Sequence, residues 1–235
     1  KTAEQYKKEN SSKVTPSGGS GGGGGGGGRT SISPVTDYNV YENTDEPQTQ
    51  PQKETFNDLK NVPWAHEAIE YLAENDVING DGNGNFLPDN NITREEFVKM
   101  IVLAFNIAES ADSISFNDVP EDDYFRPFIS AAVSQNIVKG KPESDFGIGD
   151  IITRQDMAVI VYRTMALGGK SMDCGEYTEF GDSEYISDYA KDSVYYLVSK
   201  GILNGTGENM FSPLGAATRA QAAKMIYGAL MMGGK

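Results

Sequence analysis

An arginine follows a threonine at three places in the chain, as Arg94, Arg154 and Arg219. An apolar pattern with helical spacing comes next each time, which predicts that the arginine occupies the first position of a helix. A cation there faces the positive end of the helix dipole, at a cost of about 0.3–1 kcal/mol. Free backbone amides at a helix N-terminus favour an anion, and a guanidinium strengthens such a site. The pattern therefore indicates binding of carboxylate or phosphate groups.

Three aspartates offer the arginines a different role. Asp58, Asp118 and Asp182 each stand two residues after a phenylalanine, and the third copy has one extra residue before its arginine. A carboxylate from a neighbouring repeat could pair with the guanidinium and so satisfy its charge inside the protein. Both roles are compatible, because an aspartate can also orient an arginine toward a ligand.

The arginines belong to a sequence repeat. Residues 64–101 match residues 124–161 and 189–226 at fixed spacing. Each copy has an aromatic residue at its start, then a glycine, then a phenylalanine six residues on; these are Trp64, Tyr124, Tyr189, Gly80, Gly140, Gly205, Phe86, Phe146 and Phe211. Three matches in register indicate a repeat architecture in which neighbouring copies share a core.

One repeat reads as helix, loop and helix. The first helix is predicted over about 63–75, with Trp64, Ile69 and Leu72 on one buried stripe. Gly80 is predicted to have a positive φ in the loop. Thr93 and Glu96 form a capping box signature, so the second helix should begin after Thr93. The fold class is therefore all-α, with three such repeats.

Composition limits the function. The net charge is −14, and residues 1–55 hold six Lys/Arg and seven Asp/Glu, so −13 belongs to the rest. Such a surface disfavours binding to nucleic acid or an anionic membrane, and no apolar run is long enough to span a membrane. The Gly21–Gly28 run and its polar flanks predict a disordered tail over 1–55. The chain opens without a visible leader, so an export signal would lie upstream.

Metal binding and catalysis are both disfavoured. One cysteine, Cys174, and one histidine, His66, cannot make a zinc site. The loop Asp81-x-Asn83-x-Asn85 starts like a calcium-binding EF-hand, but Phe86 and Ile92 stand where that loop needs glycine and glutamate. Acids that recur in every copy indicate a repeated binding role rather than one catalytic pair. We expect no cofactor, no metal and no enzymatic activity.

The motifs resemble those of the S-layer homology family. Its units start Phe-x-Asp, carry a Gly-x-x-x-Gly-x-Phe-x-Pro loop and close on Ile-Thr-Arg-Ala-Glu. The closing motif reads here Ile92-Thr93-Arg94-Glu95-Glu96, Ile152-Thr153-Arg154-Gln155-Asp156 and Ala217-Thr218-Arg219-Ala220-Gln221. The second copy has Ile148 in place of the loop proline, and the third has Gln221 in place of the glutamate. These departures predict that some of the grooves between repeats bind weakly.

The resemblance implies a pseudo-threefold helical bundle made from repeats at 56–110, 111–170 and 171–235. It implies an extracellular module, monomeric in isolation, that anchors an upstream cargo to secondary cell-wall polysaccharide of a Gram-positive cell, often through a pyruvylated amino sugar. By position, Arg94, Arg154 and Arg219 would contact the acidic ketal. The weaker candidates for the groove walls are Asp58, Asp118, Asp182, Gly80, Gly140 and Gly205.

Two alternatives stay open at this point. Trp64 could stack on a sugar ring, although its helical spacing favours a core position. The whole chain could instead be a helical-repeat scaffold for protein partners, as in S-layer assembly, without carbohydrate binding. A scaffold would share the core pattern but would not require an arginine at each helix start.

Overall fold

The six α-helices come in three pairs. This computed structural model describes residues 55–110, 114–142, 144–167, 169 and 171–233. Its helices are α1 (His66–Glu74), α2 (Arg94–Ala104), α3 (Arg126–Ser134), α4 (Arg154–Met165), α5 (Lys191–Ser199) and α6 (Arg219–Gly233). Short 3-10 helices cover Leu59–Asn61, Ser183–Tyr185 and Asp188–Ala190. Within these ranges no β-strand is present, so the predicted all-α class is confirmed. The predicted disorder of 1–55 falls, except for Thr55, outside the described residues.

The inner helices α2, α4 and α6 contact one another at the centre. Each outer helix packs on the inner helix of the preceding repeat: α3 on α2, α5 on α4, and α1 on α6. The third contact closes the circle, because α1 comes from the first repeat and α6 from the last. Each repeat thus completes its core only with its neighbours, which is the physical reason for three copies in one chain.

A ring of backbone hydrogen bonds fixes the starts of the inner helices. The amide of Ile92 donates to Ala217 (3.0 Å), that of Ala217 to Ile152 (3.0 Å), and that of Ile152 to Ile92 (3.1 Å). Each of these residues immediately precedes the capping threonine of an inner helix. All three are at most 2% exposed, so the ring lies in the core and sets the three helix N-termini side by side.

The conserved spacing of apolar residues within the repeats corresponds to the observed core. Ala68, Ile69 and Leu72 of α1 are fully buried, as the stripe predicts. The loop phenylalanines are the largest side chains that every repeat contributes to the core, and none is more than 1% exposed; they are Phe86, Phe146 and Phe211. Such rings contribute several kcal/mol each, on the order of 3–5 by large-to-small replacement.

Candidate functional site

All three arginines occupy the first position of an inner helix, as predicted. The predicted capping box is also present, since Thr93 and Glu96 each accept the other's backbone amide. Thr218 and Gln221 exchange the same two bonds at 3.3 Å each. A neutral glutamine therefore caps the third inner helix as a glutamate caps the first.

The arginine side chains cross into the next repeat. Arg154 Nε donates to the carbonyl of Phe211 at 2.8 Å, and its Nη2 donates to Asn204 at 3.0 Å. Arg219 repeats the arrangement with Phe86 and Asn79, both at 3.0 Å. Each guanidinium also lies over the ring of the same phenylalanine, 5.1 Å and 4.6 Å from its centroid. The arginine thus clamps one repeat to the loop of the next.

Arg94 makes a weaker clamp. Its Nη2 donates to Lys139 at 2.9 Å and its guanidinium lies 5.1 Å from the centroid of the Phe146 ring. Its Nε, however, is buried without a hydrogen-bond partner. The sequence departure at Ile148 lies in the loop that Arg94 reaches. The arginine therefore contributes fewer hydrogen bonds between the first and second repeats than at the other two junctions.

The aspartates hold the loops of their own repeats. Asp58 accepts the amides of Phe86 and Leu87 at 2.8 Å each, and Asp182 accepts those of Phe211 and Ser212 at 2.8 and 2.7 Å. Asp118 accepts the amides of residues 146, 147 and 148 at 2.6–2.9 Å. The carboxylate oxygens are thus occupied by loop amides. Asp182 acts on Arg154, and Asp58 on Arg219, as a nearby charge rather than as the direct ion pair considered from sequence.

Gly80, Gly140 and Gly205 allow close packing and do not have a positive φ. The positive φ predicted for Gly80 is wrong. A Cβ at Gly80 would lie 2.5 Å from the carbonyl oxygen of Asn85 and 2.7 Å from the ring of Phe56. Gly140 is in the same position against Phe116, and Gly205 against the carbonyl oxygen of Met210 at 2.6 Å. The phenylalanine of each Phe-x-Asp motif therefore presses against this glycine.

The space in front of Arg154 is a groove between repeats, called the Arg154 groove. The corresponding surfaces around Arg94 and Arg219 are called the Arg94 groove and the Arg219 groove. The Arg154 groove is a cavity of about 450 Å³. Its walls come from all three repeats, with Trp64 from the first, Arg154 from the second, and Gly205, Gln221 and Lys224 from the third. This cavity brings together one predicted arginine, one predicted glycine and the tryptophan.

Trp64 is half-exposed rather than buried in the core. The core position favoured by its helical spacing is wrong, because its side chain is 50% exposed. The helix begins only at His66, so Trp64 lies before it and escapes the helical period. A large half-exposed ring in a cavity wall is a surface on which the face of a sugar can stack.

Burial lowers the pKa of Arg154 to about 10, and the nearby carboxylate of Asp182 opposes that change. The same cause lowers the pKa of Arg94 and of Arg219. All three remain cationic at neutral pH. Because the charge is poorly hydrated, an anion that reaches it meets less competition from water.

Lys224 was missed in the sequence reading. It lies five positions after Arg219 and faces the Arg154 groove. Lys99 stands at the same place in the first repeat, and its amine lies 5.1 Å from the centroid of the Tyr124 ring. The recurrence of lysine five positions past the arginine in two of the three repeats was the available signal.

A cavity of about 510 Å³ lies at the far ends of the inner helices, lined largely by apolar side chains such as Phe105, Met165 and Leu230, and it contains none of the predicted site residues. Among the described residues there is no cluster of His, Cys, Asp or Glu fit to hold a metal. In that same part of the chain, no helix is long and apolar enough to cross a membrane.

The Asp118 carboxylate makes stability depend on pH. Burial raises its pKa, but the amides of Phe146, Ile148 and Gly147 outweigh this and lower the pKa below its ordinary value. The group therefore stabilises the fold above the unfolded-state pKa of about 3.9, and this contribution is lost as the pH falls through the folded-state pKa.

We expect Asp118→Asn to lower the free energy of unfolding by about 2 kcal/mol at pH 7, because one amide-bonding oxygen is lost. The deficit relative to wild type should shrink toward pH 3. Urea unfolding at both pH values measures it, with exposed Asp122→Asn as the control for charge alone. A deficit of equal size at both pH values would contradict this origin.

Known proteins share the three repeats of this chain. The family model described as the S-layer homology domain matches residues 55–98, 115–158 and 179–223, together more than half of the chain. The chain is 39% identical over 178 residues to an exoglucanase, XynX, of Acetivibrio thermocellus, covering 75% of this chain and 16% of that protein. It is 29% identical to the surface-layer 125 kDa protein of Lysinibacillus sphaericus, covering 72% and 14%.

A cellulosome-anchoring protein of Acetivibrio thermocellus is 29% identical over 161 residues, which are 66% of this chain and 36% of that protein. The chain thus spans only a small part of the length of the relatives it matches. The three matched segments contain the clamped arginines and the phenylalanines under them. The chain belongs to the S-layer homology domain family, and it is an extracellular module for anchoring at the cell surface.

Proposed function

We propose that this module binds an anionic secondary cell-wall polysaccharide, with a pyruvylated amino sugar as the recognised unit. The observation that carries the proposal is the Arg154 groove, where a desolvated guanidinium, a lysine and a half-exposed tryptophan line one cavity. A carboxylate on a sugar ring needs these partners: cationic donors for the acid and an aromatic face for the ring. The module itself has no catalytic role in this account, and any enzyme or structural protein attached to it is its cargo.

Charge supports a local rather than a long-range interaction. The net charge of −14 repels an anionic polymer at a distance, but salt screens such repulsion beyond roughly 8–10 Å. The cations of the groove act at contact, where screening is weaker. We therefore expect wall binding to be retained or strengthened between about 50 and 200 mM salt, unlike the steep loss shown by a basic surface patch.

Sedimentation with purified cell walls tests the proposal. The walls are those of Acetivibrio thermocellus, compared before and after removal of the secondary polymer. Wild type should pellet with native walls and stay in solution with stripped walls. Trp64→Ala and Lys224→Met should both weaken pelleting by at least about tenfold, as expected for loss of a stacking face or a charged contact.

These two substitutions avoid the clamp, so the variants should keep the wild-type melting temperature. As a matched control, Lys60→Met removes an exposed cation elsewhere and should pellet normally. Equal pelleting on stripped walls would contradict polysaccharide binding. Protein partners would then be the candidate ligands, as in the scaffold alternative.

A further inference from the structure

The residue at the third position of the inner helix is different in each repeat. That residue is Glu96 in α2, Asp156 in α4 and Gln221 in α6. Each lies near the arginine that arrives from the preceding repeat. Gln221 lines the cavity with Arg154, and the charges of Asp156 and Glu96 act on Arg94 and Arg219. The Arg219 groove therefore holds Glu96, the Arg94 groove holds Asp156, and the Arg154 groove holds Gln221.

The acids in two grooves already compensate the arginine. The negative charge of Asp156 favours the charged form of Arg94, and that of Glu96 does the same for Arg219. Arg154 has no acid at this position, because Gln221 is neutral. The carboxylate that favours its charged form is Asp182, and the oxygens of Asp182 already accept loop amides. Its charge is the least compensated of the three.

The aromatic residue of the Arg94 groove, Tyr189, is also held by hydrogen bonds. The hydroxyl of Tyr189 donates to Asp156 Oδ1 at 2.7 Å and accepts from Gln155 Nε2 at 3.0 Å. The tyrosine is thereby fixed against the N-terminus of α4, with an acid beside it. Burial and then Asp156 raise the pKa of Tyr189 to about 12, so the hydroxyl keeps its proton and this bond at neutral pH.

The equivalent aromatic residue of the Arg154 groove has no comparable anchor. Trp64 has no hydroxyl, and Gln221 provides no carboxylate to hold it. The groove carries a second cation, Lys224, whose amine lies 5.9 Å from the centroid of the Tyr227 ring. Glu67 of α1 accepts a hydrogen bond from the hydroxyl of Tyr227 at 2.7 Å.

We infer that the Arg154 groove is the one strong site for the anionic sugar, and that Gln221 is the residue that determines this preference. The inference rests on the proposed function. An acid at this position lies close to where a ligand carboxylate must sit to meet Arg154 and Lys224. A glutamine leaves that charge free for the ligand and still caps the helix, because Thr218 and Gln221 form both bonds of the capping box.

The test exchanges the capping residues. Gln221→Glu gives the Arg154 groove the residue that caps α2, so the fold should be kept; Glu96→Gln makes the reverse change in the Arg219 groove. Oligosaccharides released from walls of Acetivibrio thermocellus by a peptidoglycan hydrolase are titrated by calorimetry. Melting temperatures confirm that each variant is folded.

We expect wild type to bind with one strong site per chain, and Gln221→Glu to weaken that site by at least about tenfold through charge repulsion. Glu96→Gln should leave the strong site unchanged and add weaker binding at a second one. Unaltered affinity in Gln221→Glu, or three equal sites in wild type, would overturn the inference while leaving polysaccharide binding in place. Failure of wild type to bind native walls would remove the proposed function and this inference with it.

Discussion

Replacement of Arg154 with methionine should lower the free energy of unfolding by about 3 kcal/mol, and the same replacement at Arg94 by about 1 kcal/mol or less. Methionine keeps the apolar stem over the phenylalanine ring and removes only the charged donors. Arg154 loses two bonds to carbonyls, at 2.8 and 3.0 Å, and leaves both acceptors without a donor. Arg94 loses one such bond, and its unpartnered buried Nε disappears with it.

Urea unfolding of the two variants and wild type measures the difference directly. A two-state analysis is appropriate if the transition has one midpoint by fluorescence and by circular dichroism. Lys60→Met serves as the control, since that lysine is exposed and is not part of a clamp. Equal losses at Arg154 and Arg94 would contradict the clamp as described.

Gly80→Ala should lower the free energy of unfolding by about 3 kcal/mol through overpacking. The new methyl would lie 2.5 Å from the carbonyl oxygen of Asn85, a backbone atom that cannot move without shifting the loop. Gly175→Ala is the matched control, because its Cβ would meet nothing closer than 3.7 Å. That variant should be neutral or slightly more stable.

Thermal unfolding of both alanine variants provides the measurement. A one-kcal/mol change shifts the midpoint of a domain of this size by about 2–4 °C, so the Gly80 variant should melt well below wild type. If Gly80→Ala and Gly175→Ala melt together, the close approach of Phe56 and the loop to Gly80 is not a requirement of the fold.

Each arginine of a clamp has two roles, so a loss of binding in an arginine variant has two possible causes. The same arginine that presents a charge to the groove also joins two repeats, so its removal weakens the fold and the site together. Variants at Trp64, Gln221 and Lys224 separate the two effects, since these side chains line the cavity without crossing to another loop.

Local features of the fold were predictable from the sequence. The capping threonines and the first positions of the inner helices depend on a few adjacent residues, and the structure has them where Thr93, Thr153 and Thr218 predict. The buried stripe of α1 follows from its spacing in the same way. The repeats made these patterns recognisable, because the same residue types recur at the same positions in all three copies.

Long-range partners were not predictable. Arg219 donates to Asn79, 140 residues away, and nothing near either residue indicates the pairing. The sequence offered an aspartate as the partner by charge, whereas the structure uses backbone carbonyls, which no sequence pattern marks. The exposure of Trp64 was missed for a related reason, since a residue just before a helix need not follow its period.

Fluorescence of Trp64, the single tryptophan of the chain, tests the central claim most directly. The measurement is quenching by acrylamide with and without oligosaccharides released from native cell walls, and with the same material after its pyruvate ketal is removed by mild acid. Native oligosaccharide should shield the half-exposed ring, and ketal-free material should not. Unchanged quenching with bound native oligosaccharide would place the ligand outside the Arg154 groove and contradict the account.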